Sequence, residues 1–328
     1  MMKRRTFTRL VAGGFVAAAI TAGAQQTARV WRVGFLAKGS RPPDGAVPAA
    51  LRNALQALGY AEGRDIVYEG RWAELRNERL PALAAELIAL KADLIVTMGG
   101  PAAAAAKQAS TTIPIIVVGA GDVVETGLVT SLAHPGGNLT GINDQSAVLS
   151  AKRLELLKEA VPAATRIAVL WNADDRAMTL RYREIEKAAE LLRINIEPLG
   201  VREPDDFDVA LTAMNRERPD ALMMVTDALT NLNRQRILDY AARFRIPAMY
   251  EFGSLVQAGG LMSYGGDISE NFKLAADYVG RILKGGKPGE LPVQQPNRYF
   301  LVINLKTAKA LGLAIPPSLL LRADEVIQ

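Results

Sequence analysis

Residues 93–101 read Asp-Leu-Ile-Val-Thr-Met-Gly-Gly-Pro, an apolar run that ends in two glycines and a proline. A short apolar run bounded by turn residues is typical of a strand buried on both faces of a parallel sheet. The alanine-rich residues 102–109 favour a helix, and the apolar residues 113–118 favour the next strand. Strands are likewise expected at 30–36 and 65–72, each followed by residues with helical spacing. This alternation predicts an α/β fold with a doubly wound parallel sheet.

The same order of strands begins again in the second half of the chain. The corresponding segments are 32–36 and 166–171, 93–98 and 220–225, and 113–117 and 246–250. In both halves an Ile-Pro pair opens the last of these segments. Three matches in the same order predict an internal repeat, and therefore two α/β lobes. A chain of 328 residues is also longer than one hydrophobic core usually supports.

Two glycine-rich stretches are expected to carry the chain between the lobes. Residues 136–141 read Gly-Gly-Asn-Leu-Thr-Gly, and residues 259–266 read Gly-Gly-Leu-Met-Ser-Tyr-Gly-Gly. Glycine gives a connecting strand the conformational freedom that a hinge needs. The expected division is a first lobe of residues 28–141 plus 267–292 and a second lobe of residues 142–266 plus 293–328.

Residues 1–24 have the pattern of an export signal. A basic start at Lys3-Arg4-Arg5 precedes the apolar stretch Leu10 to Ile20 and the small residues Ala22-Gly23-Ala24. Such a short apolar stretch does not span a bilayer as a stable helix. We therefore expect a signal peptide and a periplasmic protein without a direct membrane anchor. The paired arginines before Thr6 and Phe7 also resemble a twin-arginine signal, and the general export route stays open.

The chain without its signal is expected to have little electrostatic attraction for polyanions. The formal net charge of the whole sequence is +5, but Lys3, Arg4, Arg5 and Arg9 lie within the signal, which contains no acid. The remaining chain is therefore close to neutral. Neither nucleic acid nor an anionic membrane surface is an expected partner.

The composition of the sequence also excludes most kinds of catalytic and metal-binding site. The sequence has no cysteine and one histidine, His134, in the turn-forming segment Ala-His-Pro-Gly-Gly. Thiolate catalysis and cysteine-ligated metals are thereby excluded, and His134 is expected in an exposed loop. The pair Asp174-Asp175 is interpreted as loop or helix-start acids. We predict no catalytic residues and no metal site.

No cofactor is predicted either. Residues 119–124, Gly-Ala-Gly-Asp-Val-Val, match only part of a dinucleotide fingerprint. Residues 283–288, Leu-Lys-Gly-Gly-Lys-Pro, follow an expected helix, whereas a Walker A loop follows a strand.

Several longer segments resemble one known family. They are Trp72-Ala73-Glu74 and residues 80–87, 135–141, 152–158, 258–265 and 302–312. Together these segments, spread over the whole mature chain, are similar to the ABC transporter substrate-binding proteins of the tryptophan/tyrosine type. The resemblance implies a type 1 periplasmic binding protein fold with two lobes joined by a hinge. The chain departs from it at Gly121-Asp122-Val123 and Asn172-Ala173, where the family commonly has Gly-Asp-Pro and Asn-Pro, so ligand identity does not carry over.

The expected ligand site lies beyond the carboxyl ends of the strands, where helix N-termini offer free N–H groups. Gly100 and Pro101 are compatible either with a close approach of the backbone to a ligand or with the mere start of a helix. Asp122 and Asp227 are compatible either with ligand contacts or with helix caps. Trp72 and Phe252 fit stacking on a planar ligand or packing between elements. The candidate ligand-binding residues are Ser40, Trp72, Gly99, Gly100, Pro101, Asp122, Asn143, Asn172, Thr226, Asp227 and Phe252.

The expected function is that of an extracytoplasmic solute-binding component of an ABC importer. The resemblance implies delivery of a small molecule to an inner-membrane permease and its ATPase. The free N–H groups at helix N-termini favour a ligand that bears a carboxylate, and an aromatic amino-acid-like compound stays open. We expect the protein to be a monomer. An extracytoplasmic sensor for a signalling receptor and a periplasmic enzyme stay open as alternatives.

Overall fold

The computed structural model describes residues 29–144, 146–296 and 298–328, so the expected signal peptide lies outside the described residues. The first sheet has five parallel strands in the order β2-β1-β3-β4-β5. The elements are β1 (Trp31–Ala37), α1 (Ala49–Ala57), β2 (Ile66–Trp72), a 3₁₀ turn (Asn77–Arg79), α2 (Leu80–Ala89), β3 (Leu94–Met98), α3 (Gly100–Ala109), β4 (Ile115–Val118) and β5 (Leu139–Ile142).

The second sheet has seven strands in the order β12-β11-β10-β9-β8-β6-β7, and only the β10–β11 pair is antiparallel. Its region begins with α4 (Ser146–Ala160), β6 (Arg166–Asn172), α5 (Arg176–Leu192), β7 (Asn195–Val201), α6 (Asp206–Arg216), β8 (Ala221–Met224), α7 (Ala228–Leu232), α8 (Arg234–Phe244) and β9 (Ala248–Tyr250). It continues with α9 (Gly253–Gln257), β10 (Met262–Gly265), α10 (Ile268–Leu283), a 3₁₀ turn (Pro288–Glu290), β11 (Phe300–Asn304), α11 (Leu305–Leu311), α12 (Pro317–Arg322) and β12 (Glu325–Ile327).

Helix α10 follows a strand of the second sheet but packs on the first. Its residues Phe272 and Val279 are buried in one cluster with Leu51 and Leu55 of α1 and Ile116 of β4. The amphipathic pattern of α10 explains this burial, because its apolar side chains recur at helical spacing. We call the first sheet with α1–α3 and α10 the first lobe, and the second sheet with the remaining helices the second lobe.

Within the described residues the chain leaves one lobe for the other at three places, after Ile142, after Gly265 and after Gln294. We expected the first two crossings within the glycine-rich stretches. Part of each stretch instead forms a strand, β5 or β10, and the crossings follow these strands, the second beginning at Gly266, the last residue of its stretch. Gly141 shows why: its φ is +141°, and a Cβ there would lie 2.2 Å from the Val117 carbonyl oxygen. This glycine permits close pairing of two strands and is not a flexible joint. Ile142, at the end of β5, pairs with Gln294, so both border the first sheet.

No helix in the three described ranges is both long and apolar enough to cross a bilayer.

The packing of α1 against α10 predicts an asymmetry between two leucines. Leu55→Ala should lower the free energy of unfolding by about 2–5 kcal/mol, because it empties a fully buried position. Leu191→Ala, at a position 87% exposed on α5, should change it by about 0.5 kcal/mol or less. Urea unfolding of both variants measures the difference, and equal losses would contradict this description of the first core.

Candidate ligand site

An ion pair joins the two lobes at the carboxyl ends of their sheets. Lys38 follows β1 in the first lobe, and Asp227 follows β8 in the second. The Lys38 Nζ lies 3.8 Å from the Asp227 Oδ2, and each side chain is only 6% exposed. A buried ammonium requires a nearby opposite charge, so this contact favours a close approach of the lobes. At 3.8 Å it is longer than a hydrogen bond, and it leaves the N–H donors of Lys38 available to another acceptor.

Asn172 and the start of α7 hold Asp227 in place. The Asn172 Nδ2 donates to the Asp227 Oδ2 at 2.6 Å, and the Asp227 Oδ1 accepts from the Thr230 N–H at 2.9 Å. Asp227 thus caps α7 through one oxygen and faces Lys38 through the other. The structure shows the helix cap that was one of the two interpretations of Asp227, and a ligand contact through its other oxygen stays a prediction.

A second buried acid lies beside this pair. Asp175 caps α5, because its Oδ1 accepts from the Ala177 N–H at 2.9 Å. Burial and then the charge of Asp227 raise the pKa of Asp175, while the nearby Lys38 lowers it. Lys38 is therefore the main counter-charge of both carboxylates, and Arg181, which is bound to other acids, adds a smaller one, so positive charge is scarce here. A cationic group of a ligand would relieve that imbalance.

Thr226 adds a polar group to the same turn. Its Oγ1 is buried without a hydrogen-bond partner in the described part of the chain. An unsatisfied buried hydroxyl is costly, so it marks a place where a ligand or a water can donate or accept.

The first-lobe candidates lie at the predicted strand ends, but several have local roles. Gly99 precedes α3 with a φ of +88°, a conformation that favours glycine, and Pro101 lies in the first turn of that helix. Gly100 approaches the next strand end, since a Cβ there would lie 3.4 Å from the Ala120 carbonyl oxygen. Asp122 caps its own turn, accepting the N–H groups of residues 124 and 125 at 3.0 Å each. Ser40 is exposed in the loop after β1.

The aromatic and crossing residues are spread more widely. Trp72 is buried at the end of β2, where its ring lies 6.1 Å from that of Phe35. It also lines a cavity of about 360 Å³, where the Arg41 guanidinium lies 5.7 Å from the ring. Phe252 is half-buried directly before α9. Asn143 is buried in the first crossing and donates its N–H to the Gln294 carbonyl at 2.8 Å.

The structure therefore brings together Asn172, Thr226 and Asp227 and adds two residues that the sequence did not single out. Lys38 is not among the residues predicted from the sequence, which include the nearby Ser40, although Lys38 directly follows the apolar residues of β1. Asp175 was interpreted as a helix-start acid, which is correct, but its burial beside Asp227 was not foreseen.

Two other expectations concern chemistry. His134 is exposed in a loop, as predicted, and its backbone N–H donates to the Ser131 Oγ at 3.0 Å. Within the described residues, no group of three or more His, Cys, Asp or Glu side chains is arranged to hold a metal ion.

Comparison with known proteins shows the family of the chain. The family described as "ABC transporter substrate binding protein" matches residues 44–327. A tyrosine-binding protein of Clostridioides difficile is 28% identical over 260 residues, which cover 79% of this chain and 74% of that protein.

Two solved structures are similar over their whole length. A conserved domain protein from Vibrio cholerae is 28% identical, covers 91% of this chain and superposes with a TM-score of 0.84. An ABC domain from Streptococcus pneumoniae in complex with L-Trp is 25% identical, covers 91% of this chain and has a TM-score of 0.83. The two parallel-dominated sheets and these neighbours confirm the expected type 1 periplasmic binding protein fold. The chain therefore belongs to the ABC transporter substrate-binding proteins, in the tryptophan/tyrosine-type family that its sequence resembles.

Proposed function

We propose that this protein is the extracytoplasmic solute-binding component of an ABC importer and that it captures a small amino-acid-like zwitterion between its lobes. The observation that carries the proposal is the buried group of Lys38, Asp175 and Asp227, which brings both charge signs from opposite lobes to one place. No catalytic step forms part of this proposal.

The charges of this group fit the two ends of an amino acid. The ammonium of Lys38 has donors for a ligand carboxylate, and the two aspartates have excess negative charge for a ligand ammonium. The tyrosine-binding relative and the L-Trp complex support an amino-acid-like ligand with an aromatic side chain. The site residues of the first lobe and Phe252 stay predictions under this proposal.

Lobe closure is the proposed signal to the transporter. Lys38 comes from one lobe and both aspartates from the other, so a ligand that contacts all three favours the closed population. An inner-membrane permease and its ATPase then receive the solute from a closed, monomeric periplasmic protein without an anchor. The proposed export signal at residues 1–24 delivers the chain to that compartment.

A thermal-shift panel tests the function directly. L-Tryptophan, L-tyrosine and the other L-amino acids are compared with tryptamine and indole-3-propionate, which lack the carboxylate and the ammonium respectively. A ligand at a hundred times its dissociation constant should stabilise the protein by about 2.7 kcal/mol. Tryptamine, the amine, and indole-3-propionate, the acid, should bind more weakly than the corresponding zwitterionic amino acid. Recovery of a chemically changed ligand would favour an enzyme, and no shift with any amino acid would overturn the proposed ligand class.

Lys38→Gln should weaken binding of the responding amino acid about tenfold or more, because the ligand carboxylate loses a buried charged donor. The decisive measurement is calorimetric affinity for the amino acid relative to its decarboxylated amine. That ratio should shrink in Lys38→Gln and stay unchanged in Lys306→Gln, a substitution on an exposed part of α11. An unchanged ratio in Lys38→Gln would place the carboxylate elsewhere.

Asp175→Asn should stabilise the unliganded protein at neutral pH while it weakens ligand binding. The pKa of Asp175 is raised in the folded state, so its ionised form opposes folding above that pKa and the opposition fades as the pH falls. Asparagine keeps the cap of α5 without the charge. The stability gain should therefore shrink as the pH falls to about 4, near the ordinary pKa of an aspartate, where much of the acid is protonated in both states. Unfolding at pH 4 and pH 7 measures this, with Asp174→Asn, 54% exposed, as the matched control.

A further inference from the structure

A second buried charge network lies beside the crossings between the lobes. Glu251, directly after β9, accepts from the Arg153 Nη1 at 3.0 Å and from the Arg181 Nη1 at 2.8 Å. All three side chains are no more than 4% exposed. Arg181 extends the network, because its Nη2 donates to the Asp144 Oδ2 at 2.8 Å. Two arginines and two acids balance one another, so no net charge is buried.

This network reaches all three crossings. Asp144 is itself part of the first crossing. The Arg153 Nε donates to the Tyr264 carbonyl at 2.6 Å, next to the second crossing. Tyr299 ends the third crossing, where burial and then the charge of Asp144 raise its pKa and its ring lies 6.2 Å from that of Tyr264.

Arg181 also reaches the ligand site and the first lobe. Its Nη1 donates to the Thr226 carbonyl at 3.4 Å, one residue before Asp227. Its Nη2 would lie 3.7 Å from a Cβ on Gly121, which belongs to the first lobe. One guanidinium therefore contacts the ligand-facing turn, a crossing and the acid that joins it to Arg153. The planar guanidinium can bond several acceptors at fixed angles, which an ammonium cannot.

We propose that Arg181 is a positioning residue that couples the ligand-facing turn at Thr226 to the first crossing through Asp144, and so holds the crossings in the geometry of the closed lobes. This inference deepens the proposed function and rests on it for the role of closure. The bond to Asp144 fixes the first crossing against the second lobe, and the bond to Thr226 fixes the turn that presents Asp227. Loosening either bond frees the crossing and the turn to move independently.

Asp144→Asn is the most direct variant, because it keeps the side-chain shape and removes the charge that Arg181 binds. The distance between the lobes is measured by pulsed electron paramagnetic resonance. One spin label is attached at Glu78→Cys in the first lobe and the other at Leu191→Cys in the second. Both positions are exposed, and the sequence has no cysteine of its own to interfere. Asp277→Asn, on the exposed side of α10, is the matched control.

In the unliganded protein, Asp144→Asn should shift the distance distribution to longer separations, and Asp277→Asn should leave it as in the parent. Arg181→Lys should shift the distribution in the same direction and further, because it also disturbs the bonds to Glu251 and to the Thr226 carbonyl. Adding Asp144→Asn to Arg181→Lys should then change little, since the bond between residues 144 and 181 is already lost. With L-tryptophan as the probe, the apparent dissociation constant of Asp144→Asn should rise about tenfold, in proportion to the lost closed population.

The two proposals fail separately. An unliganded distance distribution that is the same in the parent and in Asp144→Asn overturns the role of Arg181, whatever binds. A parent protein that neither binds any amino acid nor narrows its distance distribution with them overturns the proposed function. A third outcome is that Asp277→Asn loses as much thermal stability as Asp144→Asn and shows equally long separations. General destabilisation would then explain the behaviour of both variants, which would contradict a positioning role.

Discussion

An ammonium group buried between two lobes must find negative charge on the other side, and this requirement organises the centre of the molecule. Lys38 extends from the first sheet, and Asp227 meets it from the second. Because neither side chain is solvated, separation of the lobes would expose both charges to water, and approach would desolvate both. Which arrangement has the lower free energy therefore depends on what else lies between the lobes. A ligand that carries both charges supplies partners for each.

The surrounding groups adapt to that central constraint. Asn172 orients Asp227 by a hydrogen bond of 2.6 Å, and the start of α7 fixes its other oxygen. Asp175 is held beside them by its cap on α5. These contacts belong to one lobe, so the second lobe presents a preformed acidic surface. The first lobe contributes the cation, and the crossings determine whether the two meet.

Much of the fold could be predicted from the sequence because parallel strands buried on both faces leave a clear pattern. The apolar segments at 93–98 and 220–225 became β3 and β8, each ending at the edge where polar residues gather. The position of the crossings could not be predicted from glycine alone. Gly141 allows β5 to approach β4 closely, and nothing in the local sequence distinguishes that use from flexibility.

The site was harder to read because its members are far apart in sequence. Asn172 and Asp227 were found from their places at strand ends, and the structure shows them bonded to each other. Lys38 was missed since a lysine at a strand end is usually solvated, and only its partner in the other lobe reveals its burial. Asp122 fits either a ligand contact or a cap by its position, and the structure shows the cap, since its Oδ1 accepts two N–H groups of the next turn.

The placement of α10 has a consequence for how the chain reaches its native state. Phe272 and Val279 cover Leu51, Leu55 and Ile116, yet they are synthesised after β6 to β10. A nascent chain that has grown only as far as residue 266 holds every strand of the first sheet but lacks the helix that seals it. Its apolar surface is then open to chaperones or to other chains. The lobe that comes first in the sequence is therefore the one whose core can close only after most of the other lobe has been made.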